Sequence, residues 1–149
     1  MLSIVIPVYN EQDNVFALHE RVSAAMRPIG SDYEVIVVND GSTDLTEANL
    51  RAVAAADPRF KIVNFRRNFG QTAAVMAGID FASGNIIIGL DGDLQNDPAD
   101  IPRLLDKLAE GYDVVSGWRR NRKGGMLTRR LPSMIANWLI SKMSGVHLH

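Results

Sequence analysis

The sequence contains no cysteine, and its 149 residues carry a formal net charge of only −1. Without cysteine the chain can form neither a disulfide scaffold nor a thiolate zinc site. The hydrophobic content of 46% excludes a disordered chain, because such a chain has too little apolar surface to bury. Length and composition together predict one globular domain of ordinary size.

The N-terminus lacks the features of a targeting or membrane-spanning segment. No basic residue precedes the apolar run Leu2–Val8, although a signal peptide would require one. The run is also far shorter than the ~20 residues that cross a bilayer. The residues alone therefore give a cytosolic location as the default.

Acidic residues are absent from the C-terminal part of the chain. All 17 Asp and Glu lie in residues 1–113 together with nine of the 16 Lys and Arg, and the other seven basic residues follow. A basic end on an acidic body predicts an anionic partner, and a solvated basic loop is the alternative. We expect no nucleic acid, because the acidic body repels a polyanion and no aromatic-studded basic surface accompanies the cluster.

Short apolar runs alternate with segments of helical period along the chain. The runs are Ile4–Val8, Glu34–Val38, Lys61–Phe65, Ile86–Leu90 and Val114–Val115. The helical segments are Asp13–Met26, Asp44–Ala56, Thr72–Ala82, Asp100–Glu110 and Pro132–Ser144. This alternation predicts an α/β fold, in which a parallel sheet of five strands is covered by helices on both faces.

Two glycine fingerprints for phosphate binding are also missing. The absence of G-x-G-x-x-G and of G-x-x-x-x-G-K-[ST] disfavours a dinucleotide oxidoreductase and a P-loop NTPase. Polar clusters instead follow four of the predicted strands, and they begin at Pro7, Asn39, Arg66 and Asp91. Because ligands bind at the carboxyl ends of the strands in an open α/β sheet, we expect these clusters to converge on one crevice.

A pair of aspartates follows the fourth predicted strand. Asp91 and Asp93 flank Gly92, a residue that permits a tight turn. Both carboxylates can face one hard cation while a diphosphate supplies further oxygens, and Gln95 could add a neutral oxygen. A polar turn without a metal is the alternative, since a D-x-D triplet is common by chance. The apolar strand before the pair favours the metal site.

Asp40 ends the second predicted strand. A carboxylate at this position can accept hydrogen bonds from ribose hydroxyls or a base edge, and Gly41 would let the backbone turn close beside it. Helix capping is the alternative role for the acidic residues here, because Asp44 with Glu47 resembles a capping box. We assign Asp44 mainly to capping and Asp40 mainly to ligand binding, with little contribution of Asp40 to packing.

The four ordered motifs resemble those of family 2 glycosyltransferases. They read V-I-P-V-Y-N-E at residues 5–11, V-N-D-G-S-T-D at 38–44, R-N-F-G at 67–70 and D-G-D-L-Q at 91–95. The resemblance is strongest to the dolichyl- and polyprenyl-phosphate sugar transferases and covers nearly the whole chain. It implies a GT-A fold, which is Rossmann-like with a mostly parallel sheet, and a nucleotide-diphosphate-sugar donor such as a UDP- or GDP-sugar.

The resemblance also implies roles for individual residues. The donor would be bound by Pro7, Tyr9, Glu11, Asp40, Gly41, Asn68, Gly70, Gln71, Asp91 and Gly92. Mg²⁺ or Mn²⁺ on the diphosphate would be held by Asp91, Asp93 and Gln95. The acceptor phosphate would be held by Arg119 with Arg129 or Arg130. The two aspartates and the three arginines are therefore the predicted catalytic residues.

The activity implied is an inverting sugar transfer to a polyprenyl phosphate such as dolichyl or undecaprenyl phosphate. A phosphomonoester has a second pKa of about 6, so this acceptor needs no general base, and no Asp or Glu follows Asp113. A family 2 transferase acting on a saccharide acceptor and a non-catalytic sugar-nucleotide binding module are the alternatives. A nucleotidyltransferase is disfavoured, because Met1–Glu11 lacks the glycine and the basic residue of its loop.

Two regions are predicted along the chain. Residues 1–118 would form the nucleotide-sugar-binding core, and residues 119–149 a basic loop and an amphipathic helix that begin an incomplete acceptor region. The helix from Pro132 is too short to span a membrane and suits either a bilayer interface or packing on another part of the protein. Because family members are longer, we expect an N-terminal fragment of a protein on the cytoplasmic face of the membrane, with self-association left open.

Overall fold

Four strands and four helices alternate along residues 1–117, which are the residues that our computed structural model of the chain describes. The strands are β1 (Leu2–Val8), β2 (Tyr33–Asn39), β3 (Phe60–Asn64) and β4 (Ile86–Gly89). The helices are α1 (Val15–Met26), α2 (Thr46–Ala56), α3 (Gln71–Phe81) and α4 (Ile101–Ala109). A 3₁₀ turn at Pro98–Asp100 leads into α4.

The four strands form one parallel sheet in the order β3-β2-β1-β4. Strand β1 pairs with β2 along its whole length and with β4 on its other side. Side chains on both faces of β1 are buried under helices, which explains why β1 is almost continuously apolar. The chain builds β2 and β3 on one side of β1 and returns to β4 on the other. The strand order therefore reverses beside β1, and open α/β sheets bind ligands at such a reversal.

Helices cover both faces of the sheet. The larger core lies between the sheet and α1, α2 and α4, and it includes Ile4, Ile6, Val35, Val37, Val22, Leu50 and Ile101. On the opposite face, Ile36 and Val38 pack against Ala74 of α3. Helix α3 lies so close to the sheet that a Cβ on Gly78 would overlap the side chain of Val5. The predicted parallel α/β architecture is thus confirmed.

The predicted fifth strand is wrong for the described residues. Val114 and Val115 belong to no strand, and Val114 is 83% exposed. A run of two apolar residues places one side chain on each face of a sheet, which is too little contact to hold a strand. The described part of the chain contains one compact unit, Met1–Val115. The predicted loop and helix of 119–149 lie outside the described residues, so the division at residue 118 stays a prediction.

No helix within residues 1–117 combines the length and the apolar character needed to cross a membrane.

Glu34 ties together the amino-terminal edge of the sheet. Its carboxylate is almost fully buried and accepts hydrogen bonds from the Ser3 hydroxyl and the Lys61 ammonium, each at 2.6 Å, and from the Ser83 backbone N–H at 2.7 Å. Burial alone raises the pKa of Glu34, but these bonds and the charge of Lys61 lower this pKa to about 2. The ionised carboxylate therefore joins β1, β2, β3 and the connection from α3 to β4.

Candidate functional site

A cleft of about 430 Å³ opens at the carboxyl ends of the strands. The residues that line it are Pro7, Val8, Tyr9, Glu11, Asp40, Asn68, Gly70, Gln71, Asp91, Gly92 and Asp93. They come from the carboxyl end of β1, from the loops after all four strands and from the first residue of α3. The four polar clusters thus converge on one crevice, as the motifs at the strand ends predict.

Not every predicted site residue lies in the cleft. Gly41 and Gln95 do not line it, although both belong to loops that form it. Val8 lines it without having been predicted, because an apolar residue that continues a buried strand carries no signal of ligand contact. Arg119, Arg129 and Arg130 lie outside the described residues, so their predicted role stays a prediction.

The loops after β1 and β2 are hydrogen-bonded to each other. The Asn10 side chain accepts the Thr43 backbone N–H at 2.9 Å, and the Asn10 backbone N–H donates to the Ser42 hydroxyl at 3.0 Å. The Glu11 backbone N–H donates to the Thr46 hydroxyl at 2.8 Å. Asn10 adopts a φ of 54°, a left-handed conformation that asparagine tolerates better than most residues. These bonds fix the backbone that carries Glu11 into the cleft.

Asp44 holds the start of α2. Its carboxylate accepts the backbone N–H of Thr46 at 2.9 Å and that of Gln12 at 3.3 Å. Burial alone raises the pKa of Asp44, but the hydrogen bonds from Thr46 and Gln12 outweigh it and lower this pKa. The predicted capping box is wrong in its second half, because the Glu47 carboxylate accepts from Arg51 one turn further along the helix.

Asp40 anchors the loop after β3. Its side chain is 3% exposed, and its two oxygens accept the backbone N–H of Phe69 at 2.7 Å and of Gly70 at 2.9 Å. The expectation that Asp40 contributes little to packing is therefore wrong. The sequence could not reveal this role, because the two donors lie 29 and 30 residues away. Asp40 still lines the cleft, and its predicted contact with a nucleoside stays a prediction.

Two glycines allow close approach of the loops around the cleft. Gly41 has a φ of +69°, and a Cβ there would overlap the backbone of Arg67, so the predicted tight turn beside Asp40 is confirmed. Gly92 serves packing instead, because a Cβ there would lie 2.6 Å from the Val8 side chain. The left-handed residue of that turn is Leu94, with a φ of 58°.

The two aspartates after β4 differ in their surroundings. Asp91 is half-buried and accepts hydrogen bonds from the Gln71 amide at 3.1 Å and from the Asn96 amide at 2.7 Å. Asp93 is exposed and accepts the Gln95 backbone N–H at 3.0 Å. Asn96 is a site residue that the sequence analysis missed, and its only signal is its position in the polar turn that follows the D-G-D triplet.

The lining of the cleft is acidic. Among residues 1–117 it contains four carboxylates, those of Glu11, Asp40, Asp91 and Asp93, and no Lys, Arg or His. Oxygen ligands of this kind suit Mg²⁺ or Mn²⁺. Across residues 1–117, however, no three acidic or histidine side chains gather into a cluster that could hold a metal ion. The donor set thus fits a divalent cation only if a second ligand with oxygen atoms completes the coordination.

Solved structures share this arrangement of sheet and helices. Glucosyl-3-phosphoglycerate synthase from Mycobacterium tuberculosis matches with a TM-score of 0.69 at 23% identity, over 97% of this chain and 52% of that chain. A mannosyltransferase from Pyrobaculum calidifontis matches with a TM-score of 0.54 at 24% identity, over 62% of this chain and 27% of that chain. At these identities the likeness establishes the fold, and it confirms the predicted GT-A fold.

Residues 3–147 match the sequence model of Glycosyl transferase family 2, and the chain belongs to this family. It is 49% identical over 150 residues to dodecaprenyl-phosphate galacturonate synthase of Rhizobium johnstonii. It is 44% identical over 149 residues to undecaprenyl-phosphate 4-deoxy-4-formamido-L-arabinose transferase of Aeromonas hydrophila. Both matches cover 99% of this chain, but 44% and 45% of those proteins. The chain thus spans less than half the length of these curated relatives.

Proposed function

We propose that this chain forms the donor-binding part of a metal-dependent glycosyltransferase, which transfers a sugar from a UDP- or GDP-sugar to a polyprenyl phosphate on the cytoplasmic face of the membrane. The observation that carries the proposal is the acidic cleft built by four loops at the point where the strand order reverses. The names of both relatives include a polyprenyl phosphate, which supports this class of acceptor.

The charge of the cleft supports the metal requirement. A diphosphate that approaches four carboxylates without a counter-ion meets repulsion, because the described part of the chain places no basic side chain in the lining of the cleft. Asp91 and Asp93 would hold the cation, with Gln95 as a candidate third ligand. When bound, Mg²⁺ or Mn²⁺ neutralises the negative charge that grows on the leaving nucleoside diphosphate.

The loops after β1 and β2 supply the nucleoside end of the proposed site. Pro7 lies near the end of β1, Tyr9 and Glu11 follow this strand, and Tyr9 keeps 45% of its surface exposed for contact with a ligand. Asp40 adds a carboxylate whose direction is fixed by two backbone N–H groups. Because these groups are held before the donor arrives, binding requires little ordering of the protein.

The transfer itself is a single displacement. An oxygen of the acceptor phosphate forms a bond to the anomeric carbon, and the bond from that carbon to the diphosphate breaks with its electron pair on the leaving nucleoside diphosphate. The acceptor oxygen is already anionic near neutral pH, so no residue has to remove a proton from it. An anionic acceptor needs basic partners beside so acidic a cleft, and Arg119, Arg129 and Arg130 are the candidates.

Calorimetry and a transfer assay on the full-length protein test this proposal. We expect UDP or GDP to bind tightly only when Mg²⁺ or Mn²⁺ is present, and labelled sugar to appear on undecaprenyl phosphate. Asp93→Ala should abolish the metal-dependent part of binding at an unchanged melting temperature, because Asp93 is exposed. Asp80→Ala, at an exposed position of α3 that does not line the cleft, is the matched control.

Three outcomes would contradict the proposal. Nucleotide binding that needs no metal and is unchanged in Asp93→Ala would remove the metal from the mechanism. Transfer to a saccharide but not to the lipid phosphate would assign the other acceptor class. Donor binding without transfer to any acceptor would identify a non-catalytic binding module.

A further inference from the structure

The carboxylate of Asp91 is held from two sides by side-chain amides. Gln71, the first residue of α3, donates from Nε2 to Oδ1 at 3.1 Å. Asn96, in the turn after β4, donates from Nδ2 to Oδ2 at 2.7 Å. An ionised carboxylate has about four lone-pair positions, so two hydrogen bonds leave one position on each oxygen for a cation.

We propose that Asn96, together with Gln71, is a positioning residue that holds the Asp91 carboxylate in the orientation in which it receives the divalent cation. The inference rests on the proposed function, because that function places a cation at Asp91. A half-buried aspartate without such partners would rotate among several side-chain conformations. Two amide donors, one on each carboxylate oxygen, select one of these side-chain conformations before the cation arrives.

The backbone on both sides of Asn96 is fixed by turns. The Asp93 carboxylate accepts the backbone N–H of Gln95, and the Asp97 carboxylate accepts that of Ala99 at 3.0 Å. Asn96 lies between these two turns and is half-buried. Its amide therefore comes from a defined point of the backbone, as a positioning residue requires.

The position of Gln71 is fixed by a different set of hydrogen bonds. It directly follows Phe69 and Gly70, whose backbone N–H groups both donate to Asp40. A continuous path of bonds thus runs from Asp40, at the proposed nucleoside end, through the start of α3 to Asp91, at the proposed metal end. Asp91 is consequently held by two loops that do not depend on each other.

The inference is tested by measuring the binding of Mn²⁺ to the full-length protein by electron paramagnetic resonance. The measurement is made with saturating UDP and, in parallel, with saturating GDP. Asn96→Leu and Gln71→Met keep the side-chain size and remove the donors. Loss of a hydrogen bond to a metal-ligating group weakens metal affinity about 10–100-fold, and we expect a rise of that size in the Mn²⁺ dissociation constant for Asn96→Leu. In Asn96→Leu the melting temperature and the metal-free affinity for UDP should stay unchanged, because Asn96 does not line the cleft.

Asn85→Leu is the matched control, because Asn85 is an exposed asparagine at the opposite end of β4. If Asn96→Leu lowers the melting temperature, Gln71→Met decides the question, since Gln71 lies at an exposed helix position. The inference is overturned if Asp91→Ala loses the metal but the deciding variant binds Mn²⁺ as tightly as the wild type does. The deciding variant is Asn96→Leu if it is stable, and Gln71→Met if it is not. Unchanged Mn²⁺ binding in Asp91→Ala would instead overturn the proposed function.

Discussion

Asp40 lies between the cleft and the loop after β3, and its carboxylate contacts both. Hydrogen bonds from two backbone N–H groups fix the direction of this carboxylate. The lone pairs that remain can still accept ribose hydroxyls. At the scale of a residue, the proposed contact with a nucleoside and the stability of the loop share one side chain, and we expect a variant of Asp40 to alter both.

Asp40→Ala should lower the free energy of unfolding by about 1–3 kcal/mol, because two part-buried hydrogen bonds to backbone N–H groups are lost. Asp40→Asn should cost less, since its amide oxygen can still accept from one of them. Urea unfolding of the ligand-free protein measures the difference. Equal stability of Asp40→Ala and the wild type would mean that water replaces the carboxylate.

The loops after β1 and β2 behave as one element. Asn10, Glu11 and Gln12 of the first loop are bonded to residues of the second, and the Asn49 amide of α2 donates to the Gln12 carbonyl at 3.0 Å. The partners are 32 to 37 residues apart in the chain. The proposed nucleoside end of the cleft is therefore shaped by contacts between these two segments rather than within either one.

Thr46→Val tests this joint element. The substitution keeps the shape of a buried side chain but removes the hydroxyl that accepts the Glu11 N–H. We expect a loss of about 1–2 kcal/mol in unfolding free energy and weaker nucleotide binding, because Glu11 lines the cleft. Chemical denaturation and calorimetry provide the two readouts.

Thr43→Val is the matched control for Thr46→Val. Thr43 is exposed, and its hydroxyl lies at 3.4 Å from the Asn10 side chain, so its loss should stay within about 0.5 kcal/mol. Equal effects of the two substitutions would show that the Glu11 bond has no special weight.

Apolar periodicity predicts the elements of this chain but not their ends. Helix α1 ends at Met26 as predicted, whereas β2 extends by one residue on each side to Tyr33 and Asn39. Those two residues are less apolar than the run between them and join the strand through pairing with β1. The motifs likewise predict which loops form the cleft. Contacts such as Asp40 with Gly70 cannot be predicted, because no local pattern links a side chain to a distant backbone group.

For the whole molecule, a buried carboxylate joins the strands at the end of the sheet opposite to the cleft. Glu34 joins the strands at their amino ends, and the cleft lies at their carboxyl ends. A second buried carboxylate, Asp57, accepts two bonds from the Arg59 guanidinium at 2.8 and 2.7 Å. Those bonds are the main reason that the pKa of Asp57 lies well below its usual range. Burial raises this pKa but is outweighed, and a hydrogen bond from His19 lowers the pKa further.

The protein should therefore lose stability in acid. The pKa of Glu34 is about 2 in the folded protein and near 4.5 ordinarily, so the unfolded chain binds the proton more readily. The stabilisation is complete above about pH 4.5 and is lost as the pH falls toward 2. In urea unfolding between pH 7 and pH 2.5, the free energy of unfolding should fall steeply as the pH is lowered, and Glu34→Gln should make this fall shallower. Glu47→Gln, in a more exposed ion pair, should leave the pH dependence of the free energy of unfolding unchanged.

The predicted acceptor arginines are tested in the full-length protein. We expect Arg119→Ala, Arg129→Ala or Arg130→Ala to raise the KM for polyprenyl phosphate or to slow transfer in at least one case, with donor affinity intact, because guanidinium groups suit phosphate contact. Arg103→Ala, at an exposed position of α4, is the control. Unaltered transfer in all three variants would assign the segment to an ordinary solvated loop.

The acidic lining of the cleft also determines the order in which donor, cation and nucleotide product would bind and leave in the proposed reaction. A free nucleotide sugar is repelled by Glu11, Asp40, Asp91 and Asp93, whereas its complex with a divalent cation is not. Donor and cation would therefore enter as a pair, with Asp91 and Asp93 holding the cation, and the spent nucleotide would leave with it. Nucleotide sugar in excess over the metal draws the cation into solution, so turnover falls at high donor concentration and recovers when metal is added.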